Sequence, residues 1–263
     1  MTSKHIALVK KEDHKKQEGC VAKHEPNFDS PTYPKCAYRP LGYEARKESV
    51  KGLVPPATKE SLYQLDFTQK EHQARLPKDG MEWVKQTGRQ SKVDKELGTE
   101  RRMYRNSDPR ANDNKAWHFI GDNYKVWHKP FGHEYHHIMP EEALSESLDT
   151  KEAEYLMAAG YNMNAGKNII ILPTTRDVAY ALMLPRHKGA HRSYNQECMS
   201  IINSNKRDIE EMNPEHGITP DTVGGLKDKL ETWQENEFAV LVVKGRLAAA
   251  QGMSTQVNSM YKK

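Results

Sequence analysis

Histidine is the residue in this chain whose numbers and spacing most readily do chemistry. Twelve are present, and His118, His128, His133, His136, His137, His187 and His191 fall within one stretch. A neutral imidazole is both the commonest transition-metal ligand and the usual general base near neutral pH. His5, His14, His24, His72 and His216 are scattered and are read as ordinary surface or core residues. The stretch His133-Glu134-Tyr135-His136-His137 carries two overlapping patterns that imply different reactions. H-E-x-x-H is a zinc protease signature, with His133 and His137 as ligands and Glu134 as base, and it needs a helix so that residues four apart share a face. Pro130, Gly132 and Pro140 argue against that helix, because proline drives the residue before it out of the helical region. The adjacent pair His136-His137 works on a strand, where consecutive side chains leave on opposite faces and can divide into ligand and base. A second group, His187-Lys-Gly-Ala-His191, follows about fifty residues later.

These groups have to be positioned by the elements around them. Residues 116–120 and 124–128 alternate like two strands joined by a turn at Gly121-Asp-Asn. Helical spacing covers 150–159 and stops at Gly160; 168–173 is a short apolar run that reads as a buried strand. A long helix is expected over 193–212, stopped by Asn213-Pro214, and another over 222–235. Residues 238–250 fit either strand or helix. The proline-rich first hundred residues read as extended wrapping, with short helices over 61–74 and 80–93. The expected organisation is an N-terminal extended or helical region (1–115), a catalytic domain (116–212) and a C-terminal appendage (213–263).

Three blocks in order resemble the AHH family of nuclease toxins, within the HNH or ββα-metal (His-Me finger) endonuclease superfamily. They are His136-His137-Ile-Met-Pro140, Asn164-Ala-Gly-Lys-Asn168-Ile-Ile-Ile-Leu172-Pro173, and His187-Lys-Gly189-Ala-His191-Arg-Ser-Tyr194. The resemblance covers about 130–210 and departs from the family pattern twice: Tyr135 replaces the small residue before the His pair, and Ile169 replaces a Gly after the strand Asn. It implies an α+β fold with a ββα-metal core. It also implies roles: His136, His187 and His191 as metal ligands, His137 as general base, and Asn168 as the partner that orients the His137 ring by a hydrogen bond. Arg186, Lys188 and Arg192 are candidates to hold flanking phosphates. The implied cofactor is a divalent ion (Zn, Ni, Mg or Mn), and the implied activity is hydrolysis of DNA, with RNA as the other possible substrate. By the same resemblance the protein is an antibacterial effector, delivered into a target-cell cytoplasm by a type VI or similar secretion apparatus and countered by an immunity protein.

Composition sets the bounds. The chain has 263 residues with 36 % hydrophobic and 29 % charged residues, and a mean hydropathy of −0.90, so the core is expected to be modest. Net charge is +4, and the whole excess sits in the first hundred residues. Three widely spaced cysteines, Cys20, Cys36 and Cys198, speak against a disulfide framework, and with no second Cys near either Cys20 or Cys36 a Cys-based zinc ribbon is not expected. Cys198 reads as a buried helical residue rather than a nucleophile. No run approaches bilayer length and the N-terminal apolar patch is too short for a secretory leader, so no membrane partner is expected. Two other functions compete with the nuclease: the zinc protease, and a non-catalytic adaptor stabilised by a closed four-ligand metal site.

Overall fold

The computed structural model describes residues 19–24, 28, 34–47, 62–66, 116, 117, 119, 121–127, 129–189, 191–214 and 216–261. In chain order they form helix α1 (Tyr38–Lys47), strands β1 (Leu65–Asp66), β2 (Ala116–Trp117) and β3 (His133–His137), and helices α2 (Glu141–Ser147) and α3 (Thr150–Ala158). A 3-10 turn (Gly166–Asn168), strand β4 (Ile169–Pro173) and helices α4 (Arg176–Leu182), α5 (Arg192–Met212), α6 (Val223–Ala250) and α7 (Val257–Met260) complete the fold. It is an α+β arrangement built around two small antiparallel sheets, β1–β2 and β3–β4.

The β3–β4 pair is the centre. Its register sets His137 opposite Ile169, His136 opposite Ile170 and Glu134 opposite Leu172. All five residues of β4 are buried, which is why Ile169, Ile170, Ile171 and Leu172 read as a continuous apolar run without alternation. Asn168 extends the pairing past the strand ends. Its Oδ1 accepts from the Met139 N–H at 2.6 Å, and its Nδ2 donates to the carbonyls of Met139 at 3.0 Å and Met163 at 2.6 Å. The Ile138 N–H donates to the Asn168 carbonyl at 2.8 Å.

Helix α1 lies against this pair so closely that a Cβ at Gly42 would meet the Ile169 side chain at 2.5 Å and the Tyr135 ring at 3.0 Å. Arg46, at its C-terminal end, donates from Nε to the Ile169 carbonyl at 2.6 Å and sets its guanidinium 3.7 Å from the centroid of the Phe238 ring of α6. Helix α3 begins in a capping box between Asp149 and Glu152, whose carboxylate also receives Lys206 of α5 at 2.7 Å. The buried residues from Val21 to Val257 form one hydrophobic cluster. The cluster draws residues from before the expected boundary at 115/116 and after that at 212/213, as well as from between them.

Several expectations are corrected. The hairpin expected over 116–128 is not formed by the described residues: β2 pairs with β1, residues 121–127 are turns, and Tyr124 sits at φ 65°. The buried aromatic rings explain the change, since Tyr124 stacks on Phe119 and donates its hydroxyl to the Tyr63 carbonyl at 2.6 Å. Residues 62–66 are a turn and a strand in place of the start of the helix expected over 61–74; 67–74 and the expected helix over 80–93 lie outside the described residues. Residues 222–235 and 238–250 belong to one helix, α6, with Thr222 as its N-cap. Helices α1, α2, α4 and α7 are additional to those expected. Among the described residues no helix is long and apolar enough to cross a membrane.

Candidate active site

Strand β3 sorts its side chains by parity. His133, Tyr135 and His137 leave on one face, and Glu134 and His136 on the other. His133 enters the aromatic cluster, where its ring nitrogens face the carbonyls of Phe131 at 2.9 Å and Tyr124 at 3.2 Å. The H-E-x-x-H reading requires a helix through these residues; they form a strand, which sets His133 and His137 roughly 13 Å apart along one face, too far to share an ion. The protease geometry is absent.

On the other face, His136 meets the loop between α4 and α5. The backbone N–H of His187 donates to the Pro173 carbonyl at 2.9 Å, which anchors that loop to the end of β4. Gly189 takes φ 69°, a left-handed conformation open to glycine, and the chain turns so that His187 and His191 both face His136. Ring centroids are 5.3 Å apart for His136 and His187, 4.9 Å for His136 and His191, and 4.5 Å for His187 and His191. The nearest ligating nitrogens of the three rings all lie within 4.8 Å of one another. Nε2 of His136 and both ring nitrogens of His191 are buried without a hydrogen-bond partner. Buried polar atoms are nearly always paired, so unpaired ring nitrogens on neighbouring histidines suit a cation. The orientation of His187 serves the same end, with Nδ1 2.8 Å from Oε2 of Glu134. A carboxylate only accepts, so Nδ1 carries the hydrogen, and in the neutral ring Nε2 is the nitrogen left to bind an ion. Burial, reinforced by the neighbouring His187, pushes His136 well below the ordinary histidine range and His191 down to about 4, so both rings are neutral near pH 7.

His137 leaves toward α1, its ring 4.7 Å from that of Tyr38. Its Nε2 lies 3.1 Å from Oδ1 of Asn164. The amide orientation is fixed on its far side, where Nδ2 of Asn164 donates to the Ala22 carbonyl at 2.7 Å. Oδ1 can then only accept from His137, which places the ring hydrogen on Nε2 and leaves Nδ1 as the basic nitrogen. Burial lowers this ring to about 4. Asn168 does not touch it; its side chain is consumed by Met139 and Met163. The hydrogen bond expected of Asn168 is made by Asn164, four residues earlier and within the same sequence block, because Asn168 lies where the ladder ends and its amide serves the backbone.

Around the histidines, Lys188 and Arg192 are exposed, and Arg186 is half-buried with its backbone tied to Thr255 at 2.7 Å. Two more cations, missed from sequence, come from the N-terminal region: Lys23 and Arg39 lie close enough for their charges to act on Glu134. Tyr194, from the third block, donates its hydroxyl to the Ile138 carbonyl at 2.6 Å and fastens α5 to the end of β3.

Residues 117–221 match AHH, a nuclease family of the HNH/ENDO VII superfamily with conserved AHH. That match supports a nuclease function. In this chain the family's Ala-His-His stands as Tyr135-His136-His137, with Tyr135 packed among Tyr43, Phe28 and Tyr124. The AHH segment contains every histidine of the cluster, whereas Tyr38 and Ala22, which bracket the His137–Asn164 pair, lie before it. No curated protein and no solved structure matches the chain.

Proposed function

We propose that this protein is a metal-dependent endonuclease that hydrolyses DNA phosphodiesters. The observation that carries the reading is the clustering of His136, His187 and His191, with buried nitrogens of His136 and His191 unpaired, beside a fourth histidine held in a defined tautomer. A divalent ion on three imidazoles keeps coordination positions open and supplies positive charge to a phosphate oxygen and to the departing 3′-oxygen. His137 accepts a proton from water at Nδ1 while Asn164 fixes its ring. A phosphate drawn beside His137 raises its proton affinity, which strengthens the base when substrate is present. Lys23, Lys188 and Arg192 are exposed cations suited to hold flanking phosphates, and the N-terminus of α5, with His191 as its N-cap residue, adds the positive end of a helix dipole. Zinc, nickel, magnesium and manganese are the ions to compare.

The biological setting proposed rests on the family resemblance drawn in the sequence: an antibacterial toxin made in one cell and delivered by a type VI or similar route into the cytoplasm of another, with an immunity protein of acidic surface protecting the producer. Supercoiled plasmid incubated with the purified protein is expected to be nicked and linearised, and chelator is expected to stop it. Total RNA run in parallel distinguishes the substrate: cleavage of RNA alone would overturn the DNA assignment. Loss of colony formation on cytoplasmic expression, relieved by His137→Ala, is the result expected of a toxin.

A further inference from the structure

We propose that Cys20, His24 and Cys36 form a second metal site, for a thiophilic divalent ion such as zinc, and that this site holds the loop whose carbonyl fixes Asn164 against His137. Nothing in the linear order pairs these residues, since Cys20 and Cys36 stand far apart and His24 passes for a surface histidine. The fold brings their ligand atoms within 4.8 Å of one another. His24 Nε2 is 3.1 Å from Cys20 Sγ, and both cysteines are free and buried.

Two side-chain amides aim donors at the sulfurs: Nδ2 of Asn164 at Cys20 Sγ (3.4 Å) and Nδ2 of Asn162 at Cys36 Sγ (3.9 Å). A neutral thiol is a weak acceptor, whereas a metal-bound thiolate draws such donors strongly, and outer donors of this kind are a regular part of metal–sulfur sites. Two thiolates and an imidazole are a zinc ligand set; the fourth tetrahedral position falls to water or another donor of the chain. The same softness excludes magnesium and manganese, so the site differs in kind from the all-imidazole cluster. The surroundings give the site a structural role. Cys20 docks beside Asn162 through its N–H to the Tyr161 carbonyl (2.7 Å) and its carbonyl to the Met163 N–H (2.8 Å). Closing the Cys20–His24 loop on an ion shared with Cys36 ties two segments of a polar N-terminal region to each other and to this edge. Ala22, inside that loop, is the acceptor that sets the Asn164 amide and through it the His137 tautomer. This last link rests on His137 being the base; the metal site itself does not.

The test uses the full chain, reduced, freed of metal and loaded with cobalt(II). The expected result is one ion per cluster, one of the two giving a thiolate-to-cobalt charge-transfer band. Cys36→Ser is expected to abolish the band, and His191→Ala to leave it. Absence of the band in the unsubstituted protein, or its survival in Cys36→Ser, would overturn the site. So would finding one free thiol, rather than three, in the denatured protein before reduction, because Cys20 and Cys36 would then be a disulfide. The unsubstituted protein decides the matter even where Cys36→Ser fails to fold. Nitrogen-15 NMR of the histidine rings reads the second link without any nuclease assay. His137 is expected as the Nε2–H tautomer in the zinc-loaded protein and as a tautomer mixture in folded Cys36→Ser; an unchanged tautomer would sever the link.

Discussion

His136 and His137 are adjacent, yet the strand gives them separate environments, and their substitutions should separate as well. His137→Ala is expected to abolish plasmid nicking while leaving metal affinity at the imidazole cluster nearly intact, since the ring bonds Asn164 and not the cluster. His191→Ala is expected to lower that affinity by well over tenfold, because two remaining imidazoles hold an ion poorly. Titration calorimetry on both variants checks the division, and a collapse of affinity in His137→Ala would exchange the two roles. Glu134 gives an intermediate case. It is half-exposed and acts through Nδ1 of His187, which holds its carboxyl below the usual carboxylate range. Glu134→Gln keeps an oxygen acceptor at that nitrogen, so metal affinity or nicking should fall by roughly 10-fold and at most about 100-fold. Complete loss of nicking would mean that Glu134 acts directly in the reaction.

At the scale of elements, Asn168 shows how one side chain can hold two strands and a turn in place. Its amide engages one N–H and two carbonyls, all of buried backbone. Asn168→Ala leaves these three groups unpaired and is expected to destabilise the fold by about 2–4 kcal/mol, read as a lower urea midpoint. Asn168 is thus a structural residue: folded Asn168→Ala at low temperature should retain the Nε2–H tautomer of His137, whereas Asn164→Ala should not. Helix α1 contributes at this scale too, with Arg46 closing the start of β4 and Tyr38 closing over His137. Part of the surroundings of His137 thus comes from outside the segment that carries the family match.

For the whole molecule, the buried histidines predict how stability depends on pH. Burial holds His137 and His191 at about 4 in the fold, against about 6.5 in an unfolded chain, and holds His136 well below its ordinary value too. Between those values the unfolded chain binds more protons than the folded one, so stability rises with pH from about 4 to about 6.5 and is level above. The lowered carboxyl of Glu134 acts in the same direction at the acid edge of that window. The metal-free protein should therefore lose urea resistance steadily between pH 7 and about pH 5, with no change between about pH 7 and about pH 8. A flat profile across the acid window would contradict three neutral buried rings.

Short-range rules along the chain already single out the histidines that could do chemistry and several of the local states around them. The proline spacing around 133–137 argues against a helix, the apolar run over 168–173 reads as a buried strand, and Gly160 and Asn213-Pro214 end helices near where α3 and α5 end. The His pair and the His-x-x-x-His group are legible because period-two and loop geometry constrain neighbours along the chain. Choices between equivalent side chains are not legible. Asn164 and Asn168 are the same residue type four positions apart, and only the pairing of β3 with β4 decides which amide serves backbone and which serves His137. The hairpin expected at 116–128 fails for a related reason: burying Phe119 and Tyr124 in one aromatic cluster outweighs local strand preference. Cys20, His24 and Cys36 meet through a bridge between Cys20 and Asn162, a contact across more than a hundred residues. That meeting was left to the tertiary fold, because long-range contacts form where buried area and backbone pairing outweigh the entropy of closing the loop.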